Sequence, residues 1–202
     1  MMRLFLKVIS YLFHPLFVPF AGTIIYFLVT PKYSPLELQS GNILPIFILT
    51  IIIPIISFLI LRNLGIVKSV FIPSIEERKY PLYISIALLF MVLLKVIPNN
   101  YTAELYYFFL GLIAASGASL LLLFLQFKSS MHMMGIGSLL VFLISLSIHF
   151  EINITLAISC LTLIAGLIAS SRLYLKAHNK AEVIIGFLLG SLSQLLTIKF
   201  WL

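Results

Sequence analysis

Long apolar runs, separated by short polar segments, fill almost the whole chain. Runs of about 17–25 residues are typical of helices that cross a membrane. Seven runs are candidate spans: 15–30, 43–61, 82–97, 105–127, 133–148, 154–170 and 183–200. Two of them, 82–97 and 133–148, are short enough to be partly re-entrant instead. The stretch 4–13 comes before His14-Pro15, where the residue preceding proline disfavours a continuing helix, so it predicts a short interfacial helix.

The composition agrees with a membrane protein. The chain has 202 residues, of which 62% are hydrophobic and 9% charged, whereas soluble domains carry about 25% charged residues. A soluble fold of this size would lack the polar residues to cover its surface, which excludes an ordinary cytosolic enzyme, a disordered protein and a coiled coil. We therefore predict an all-α, polytopic membrane helix bundle of six to seven spans, forming a single domain over 1–202.

The net charge of +7 is concentrated in the polar segments between the runs. The segments 62–81, 128–132 and 171–182 are each separated from the next by two spans, and two crossings return a chain to the same face of the membrane. Most of the lysines and arginines lie on this face, so the positive-inside rule favours a cytoplasmic location for it. In a chain of this hydropathy the basic residues indicate membrane orientation and anionic substrates, not nucleic acid.

The third polar segment contains a candidate catalytic pair. His178 and Glu182 are four residues apart and share one face of a helix if the last span begins near His178. A carboxylate that binds one imidazole nitrogen fixes the tautomer and leaves the other nitrogen as a nucleophile. Arg172, at the end of the previous span, offers a planar fork suited to phosphate oxygens. The alternative is a charged loop that only anchors two helix ends.

The second polar segment places Ser130 and His132 where the fifth span begins. A hydroxyl and the free amides of a helix start together make an anion site, and His132 is a candidate general acid. Gly135 and Gly137 favour a close approach of neighbouring helices. The alternative for His132 is an interfacial histidine with a structural role.

The first polar segment supplies Arg78 and Lys79 just before Pro81, and both are candidate phosphate ligands. The alternative is a positively charged loop that only follows the topology rule. Across the chain, no pair of cysteines or histidines has zinc spacing, and no glycine-rich loop matches a nucleotide-binding motif. We therefore expect neither a metal nor a cofactor.

The third segment resembles a known family signature. The pattern Ser171-Arg172, five residues, His178, three residues, Glu182 is similar to the third signature of the type 2 phosphatidic acid phosphatase family. That signature reads Ser-Arg, five residues, His, three residues, Asp. The substitution of Glu for Asp lengthens the arm that orients the histidine by one methylene.

The other two signatures are present in degraded form. Ser130 and His132 remain from the second, Pro-Ser-Gly-His. Arg78 corresponds to the arginine of the first, which reads Lys, six residues, Arg-Pro. Phe71 stands at its lysine position, and Pro81 comes two residues late. The resemblance covers a phosphatase-like core at about 65–200.

This resemblance implies metal-independent hydrolysis of phosphoric esters. The family mechanism, transferred to the matching positions, makes His178 the nucleophile that becomes a phosphohistidine and gives Glu182 the role of the orienting aspartate. It makes His132 the acid that protonates the leaving group. The remaining expected residues hold the phosphoryl oxygens, with Lys79 or Lys128 in place of the missing lysine. These phosphate-binding residues are Arg78, Arg172, Ser130, Lys79 and Lys128.

The expected function is a membrane phosphatase acting on a lipid phosphate or a polyprenyl diphosphate, in contact with membrane lipids. The alternative is a non-catalytic family member that binds lipid phosphate or serves as a membrane partner subunit. The resemblance to short integral-membrane members predicts a location in a bacterial inner membrane. Most members of the family face their site away from the cytoplasm, while the charge distribution favours the cytoplasmic face, so both orientations stay open.

Overall fold

The computed structural model describes residues 1–68, 74–97 and 101–202. Within these ranges the chain forms α-helices and no strand. The helices are α1 (Met2–Leu12), α2 (Val18–Val29), α3 (Leu36–Phe47), α4 (Ile53–Asn63), α5 (Ile75–Lys95), α6 (Ala103–Phe124), α7 (Met131–His149), α8 (Thr155–Tyr174) and α9 (Lys180–Ile198). A 3₁₀ turn, Pro15–Phe17, joins α1 to α2, and a π-helical segment, Ile48–Ile52, joins α3 to α4. The prediction of an all-α helix bundle is confirmed.

Six helical stretches among the described residues are long and apolar enough to cross a membrane. They are Met2–Val29, Leu36–Asn63, Ala103–Phe124, Met131–His149, Thr155–Tyr174 and Lys180–Ile198. The helix α5 has 21 residues, but its first turns contain four charged residues and shorten its apolar part. The chain is thus an integral membrane protein with a helical core of the predicted six to seven crossings.

The two runs that were short enough to be re-entrant form full helices. The helix α7 has 19 residues and ends at His149, which lies beside Glu104 at the other end of the bundle. The helix α5 ends near Ile97, which packs in the same apolar cluster as Leu105 at the start of α6. Both helices therefore connect the two ends of the bundle.

The N-terminal stretch forms a separate helix, as its sequence predicts. The helix α1 stops before His14-Pro15, and the His14 side chain caps the following turn by accepting a hydrogen bond from the Leu16 amide at 3.2 Å. Leu6 and Ile9 are buried, because α1 packs against the C-terminal half of α8. The proline break separates α1, which packs against α8, from α2, which packs against α6 and α7.

The helices α7 and α9 make the closest helix pair of the bundle, and glycines allow it. A Cβ at Gly186 would lie 2.5 Å from the carbonyl oxygen of Ser130, and a Cβ at Gly190 would overlap the carbonyl oxygen of Met134. Gly137 faces the Phe187 carbonyl in the same way, and Gly135 faces Val18 of α2. The prediction that Gly135 and Gly137 permit close approach is confirmed. This contact brings the start of α7 against the start of α9.

An ionic cluster closes the other end of the bundle. Glu104 is only 2% exposed, and its carboxylate lies 2.5 Å from the Lys32 ammonium, 3.1 Å from the Tyr26 hydroxyl and 3.3 Å from His149 Nε2. These side chains join α2, α6, α7 and the segment after α2. A buried carboxylate requires such partners, since an unpaired charge in an apolar interior is costly.

Candidate functional site

The three polar segments meet at one end of the bundle. The Ser130 amide, just before α7, donates a hydrogen bond to the carbonyl oxygen of Glu182 in α9 at 3.0 Å. Arg78 of α5, Arg172 of α8 and His178 line one cavity of about 400 Å³ together with His132 of α7. The structure thus brings together residues from segments that are up to 100 positions apart in the sequence.

His178 and Glu182 form a buried pair built on the N-terminus of α9. His178 Nδ1 lies 2.7 Å from Glu182 Oε2. Asn179 is the N-cap: its side chain accepts from the Glu182 amide at 2.9 Å, and its own amide donates to Glu182 Oε2 at 3.3 Å. This capping box fixes the carboxylate. Because a carboxylate accepts, Nδ1 carries the proton, and in the neutral ring Nε2 keeps its lone pair.

The environment keeps the His178 imidazole neutral. The pKa of His178 is lowered to about 4, mainly by burial and also by the positive charges of Arg78 and Arg172, while the hydrogen bond to Glu182 opposes the shift. A neutral imidazole with one fixed tautomer is the form that can act as a nucleophile.

Two guanidinium groups supply positive charge to the cavity. Arg172 donates from Nη1 to the Ser10 hydroxyl at 3.2 Å, and its buried Nε has no hydrogen-bond partner among the described residues. Arg78 follows the N-cap Ser74, whose hydroxyl accepts from the Glu77 amide at 3.3 Å, so the first turn of α5 is fixed. Guanidinium forks beside an imidazole can bind a tetrahedral oxyanion such as a phosphoryl group.

His132 lies on the cavity wall and contacts the N-terminal helix. Its Nε2 is 3.0 Å from the Ser10 carbonyl oxygen, and its ring meets the His14 ring edge-on at 5.3 Å between centroids. The carbonyl can only accept, so Nε2 carries a proton that is directed at Ser10. A leaving group that takes this proton has to compete with that carbonyl.

Three expected phosphate ligands do not line the cavity. Ser130 is fully buried beside Gly186, and its hydroxyl has no partner among the described residues. Lys79 forms an ion pair with Glu76 at 2.8 Å and lies over the Phe124 ring. Lys128 is half-buried and also stays outside the cavity wall. Phe71, which stands at the family's lysine position, lies outside the described residues.

The N-terminal segment contributes cavity residues that the sequence analysis missed. Lys7, Ser10, Tyr11 and His14 all line the cavity. The resemblance begins at about 65 and says nothing of this segment. A signal was nevertheless present, because positions 7, 10 and 11 follow the i, i+3, i+4 pattern of a single helix face, and His14 comes directly after the end of that helix.

Below its polar end the cavity is apolar. Here one wall is the helical rod that α3 and α4 form together, and the opposite wall is formed by α5 and α6. Its walls there include Leu49, Pro54, Phe58, Leu82, Leu89 and Leu112. The rod is locally π-helical at Ile48–Ile52, and such bulges are frequent at functional sites. The charged end and the apolar part of the cavity together match a ligand with a charged head and a hydrocarbon tail.

Neither known proteins nor a metal-binding cluster assigns a function to this cavity. No family model, no curated protein and no solved structure matches the chain. Within 1–68, 74–97 and 101–202, no three His, Cys, Asp or Glu side chains are grouped so that they could hold a metal ion.

Proposed function

We propose that this protein is a membrane phosphatase that hydrolyses a lipid phosphate or a polyprenyl diphosphate through a phosphohistidine at His178. The observation that carries the proposal is the arrangement at His178. Its Nδ1 is held by Glu182, and His178 lines a cavity that Arg78 and Arg172 also line. Phosphoryl transfer depends mainly on positioning and on neutralisation of developing charge, and these residues supply both.

The reaction has two steps. The Nε2 lone pair attacks phosphorus, a P–N bond forms, and the P–O bond to the lipid alcohol or lipid phosphate breaks. The leaving oxygen takes a proton, for which His132 in the same cavity is our proposed donor. Water then attacks phosphorus and breaks the P–N bond. Inorganic phosphate leaves, and the proton of that water returns to His132.

The apolar part of the cavity supports a lipid substrate over a soluble one. A phosphate bound by Arg78 and Arg172 would leave its organic substituent among the leucines below. Burial of hydrocarbon there is favourable by about 0.8 kcal/mol for each methylene transferred from water. A soluble phosphate monoester would gain none of this.

A non-catalytic lipid-phosphate binder is the second candidate, and His132 favours it. The proposed acid directs its Nε2 proton at the Ser10 carbonyl, 3.0 Å away. In a protein that only binds lipid phosphate, this bond would have no reason to break.

Turnover and trapping of the intermediate decide between the two candidates. We would purify the protein in mild detergent and measure phosphate release from a panel of lipid phosphates and polyprenyl diphosphates. His178→Gln is the test variant, and His149→Gln, which changes a histidine at the other end of the bundle, is its control. We expect turnover and an acid-labile phosphoprotein in the wild type and in His149→Gln, and neither in His178→Gln.

Each result has a defined meaning. Turnover retained by His178→Gln would refute the phosphohistidine mechanism. Saturable binding of lipid phosphate without turnover, in protein shown to be folded by a cooperative thermal transition, would favour the binder. Arg172→Ala should weaken either activity, since both candidates use its guanidinium.

A further inference from the structure

The N-terminal helix α1 forms one wall of the phosphate-binding end of the cavity. Lys7 and Ser10 both line it, and they are three residues apart on the same face of α1. Lys7 is exposed, and no ion pair holds it among the described residues. A lysine on a cavity wall can extend its flexible stem toward an anion.

Hydrogen bonds of fixed direction attach α1 beside Arg172. The Arg172 guanidinium can only donate, so the Ser10 hydroxyl accepts from it at 3.2 Å. Ser171 donates to the Leu6 carbonyl oxygen at 2.7 Å, and therefore the Ser10 hydroxyl donates to Ser171 Oγ, also at 2.7 Å. The hydroxyls of Ser10 and Ser171 are therefore both satisfied, and Lys7 lies within one helical turn of Ser10.

The other lysines near this end of the bundle are differently placed. Lys79 is paired with Glu76. The remaining lysines of the three polar segments do not line the cavity: Lys68, Lys128, Lys176 and Lys180. The two guanidinium groups alone carry two positive charges. Phosphoryl transfer is accelerated by neutralising the charge that develops on the phosphoryl and leaving oxygens, so a lysine beside the two guanidinium groups would add to that neutralisation.

We propose that Lys7 is the third cation of this site and binds the phosphoryl group of the substrate from the N-terminal helix. The inference rests on the proposed function, because it deepens the anion site on which that function depends. It makes α1 a working part of the site, in addition to its contact with α8.

Neutralising Lys7 tests the assignment, and α1 offers a matched control. Lys7→Gln and Arg3→Gln each remove one positive charge from the same helix, but Arg3 does not line the cavity. Both residues are exposed, so neither change opens the core. Lys7→Arg keeps the charge. We would measure KM and kcat for phosphate release and, independently of turnover, the rise in melting temperature produced by orthovanadate and by inorganic phosphate.

We expect Lys7→Gln to raise KM and the vanadate concentration at half-effect about tenfold, which corresponds to about 1.4 kcal/mol. Lys7→Arg should restore most of the loss, and Arg3→Gln should behave as wild type. Equal losses in Lys7→Gln and Arg3→Gln would overturn the proposal in favour of a general electrostatic field. Wild-type turnover and wild-type vanadate binding in Lys7→Gln would overturn it while the proposed function stands. A wild type that neither turns over nor binds these anions would overturn both.

Discussion

Replacing Glu182 with aspartate removes one methylene from a side chain that both holds His178 and completes the N-terminal cap of α9. Its carboxylate accepts a hydrogen bond from His178 Nδ1 at 2.7 Å and from the Asn179 amide at 3.3 Å. The family that the chain resembles carries aspartate at this position. If the signature alone decided activity, Glu182→Asp would be neutral or beneficial, whereas the geometry predicts a loss.

The magnitude follows from the length of one bond. Removing a methylene retracts the carboxylate by about 1.5 Å, which takes the His178 contact from 2.7 Å beyond hydrogen-bonding range. Loss of the capping box costs about 1 kcal/mol of stability. A buried hydrogen bond to a charged group contributes about 1.5–3 kcal/mol. For catalysis, a misplacement of about 1 Å costs about 100-fold, so we expect a loss of that order in kcat/KM.

The assay compares two substitutions at this position. Glu182→Gln keeps the length of the arm and an oxygen that can accept from His178, but it removes the negative charge. It should retain more thermal stability than Glu182→Asp, since it can still complete the capping box. Phosphate release gives kcat/KM, and thermal unfolding in detergent gives stability. Wild-type kcat/KM in Glu182→Asp would refute the view that the length of this arm positions His178.

Two further predictions concern pH and the opposite end of the bundle. Because burial lowers the pKa of His178 to about 4 while the unfolded imidazole titrates near 6.5, its contribution to stability is present above pH 6.5 and is lost as the pH falls toward 4. As the pH is lowered from 6.5 to 4, the melting temperature should therefore fall more steeply for the wild type than for His178→Gln. Parallel curves for the two proteins would contradict the lowered pKa of His178. At the other end, Glu104→Gln breaks the ion pair with Lys32. Because the Lys32 side chain is 36% exposed, solvent weakens this pair, so we expect the free energy of unfolding to fall by about 2–3 kcal/mol and kcat to stay unchanged. Glu151→Gln, an exposed carboxylate at the same end, is the control, and a melting temperature for Glu104→Gln equal to that of this control would contradict the prediction.

The sequence by itself determined the helices and the contact between His178 and Glu182. Apolar runs of membrane length leave the backbone no alternative to helix, because its polar groups must be satisfied internally. His178 and Glu182 contact each other through the local geometry of one helix start, four residues apart. The count of crossings placed the three polar segments at one end, since that argument needs only parity.

Tertiary structure decided which side chains share the cavity. Ser10 contacts Ser171 across 161 positions, and no pattern along the chain specifies that α1 packs against α8. Several lysines had the right charge and a plausible position, but only packing determined that Lys7 lines the cavity while Lys79 pairs with Glu76. The cluster around Glu104 likewise joins distant residues. Periodicity fixes the face of a helix on which a residue lies, whereas the partner of that face depends on the packing of the whole bundle.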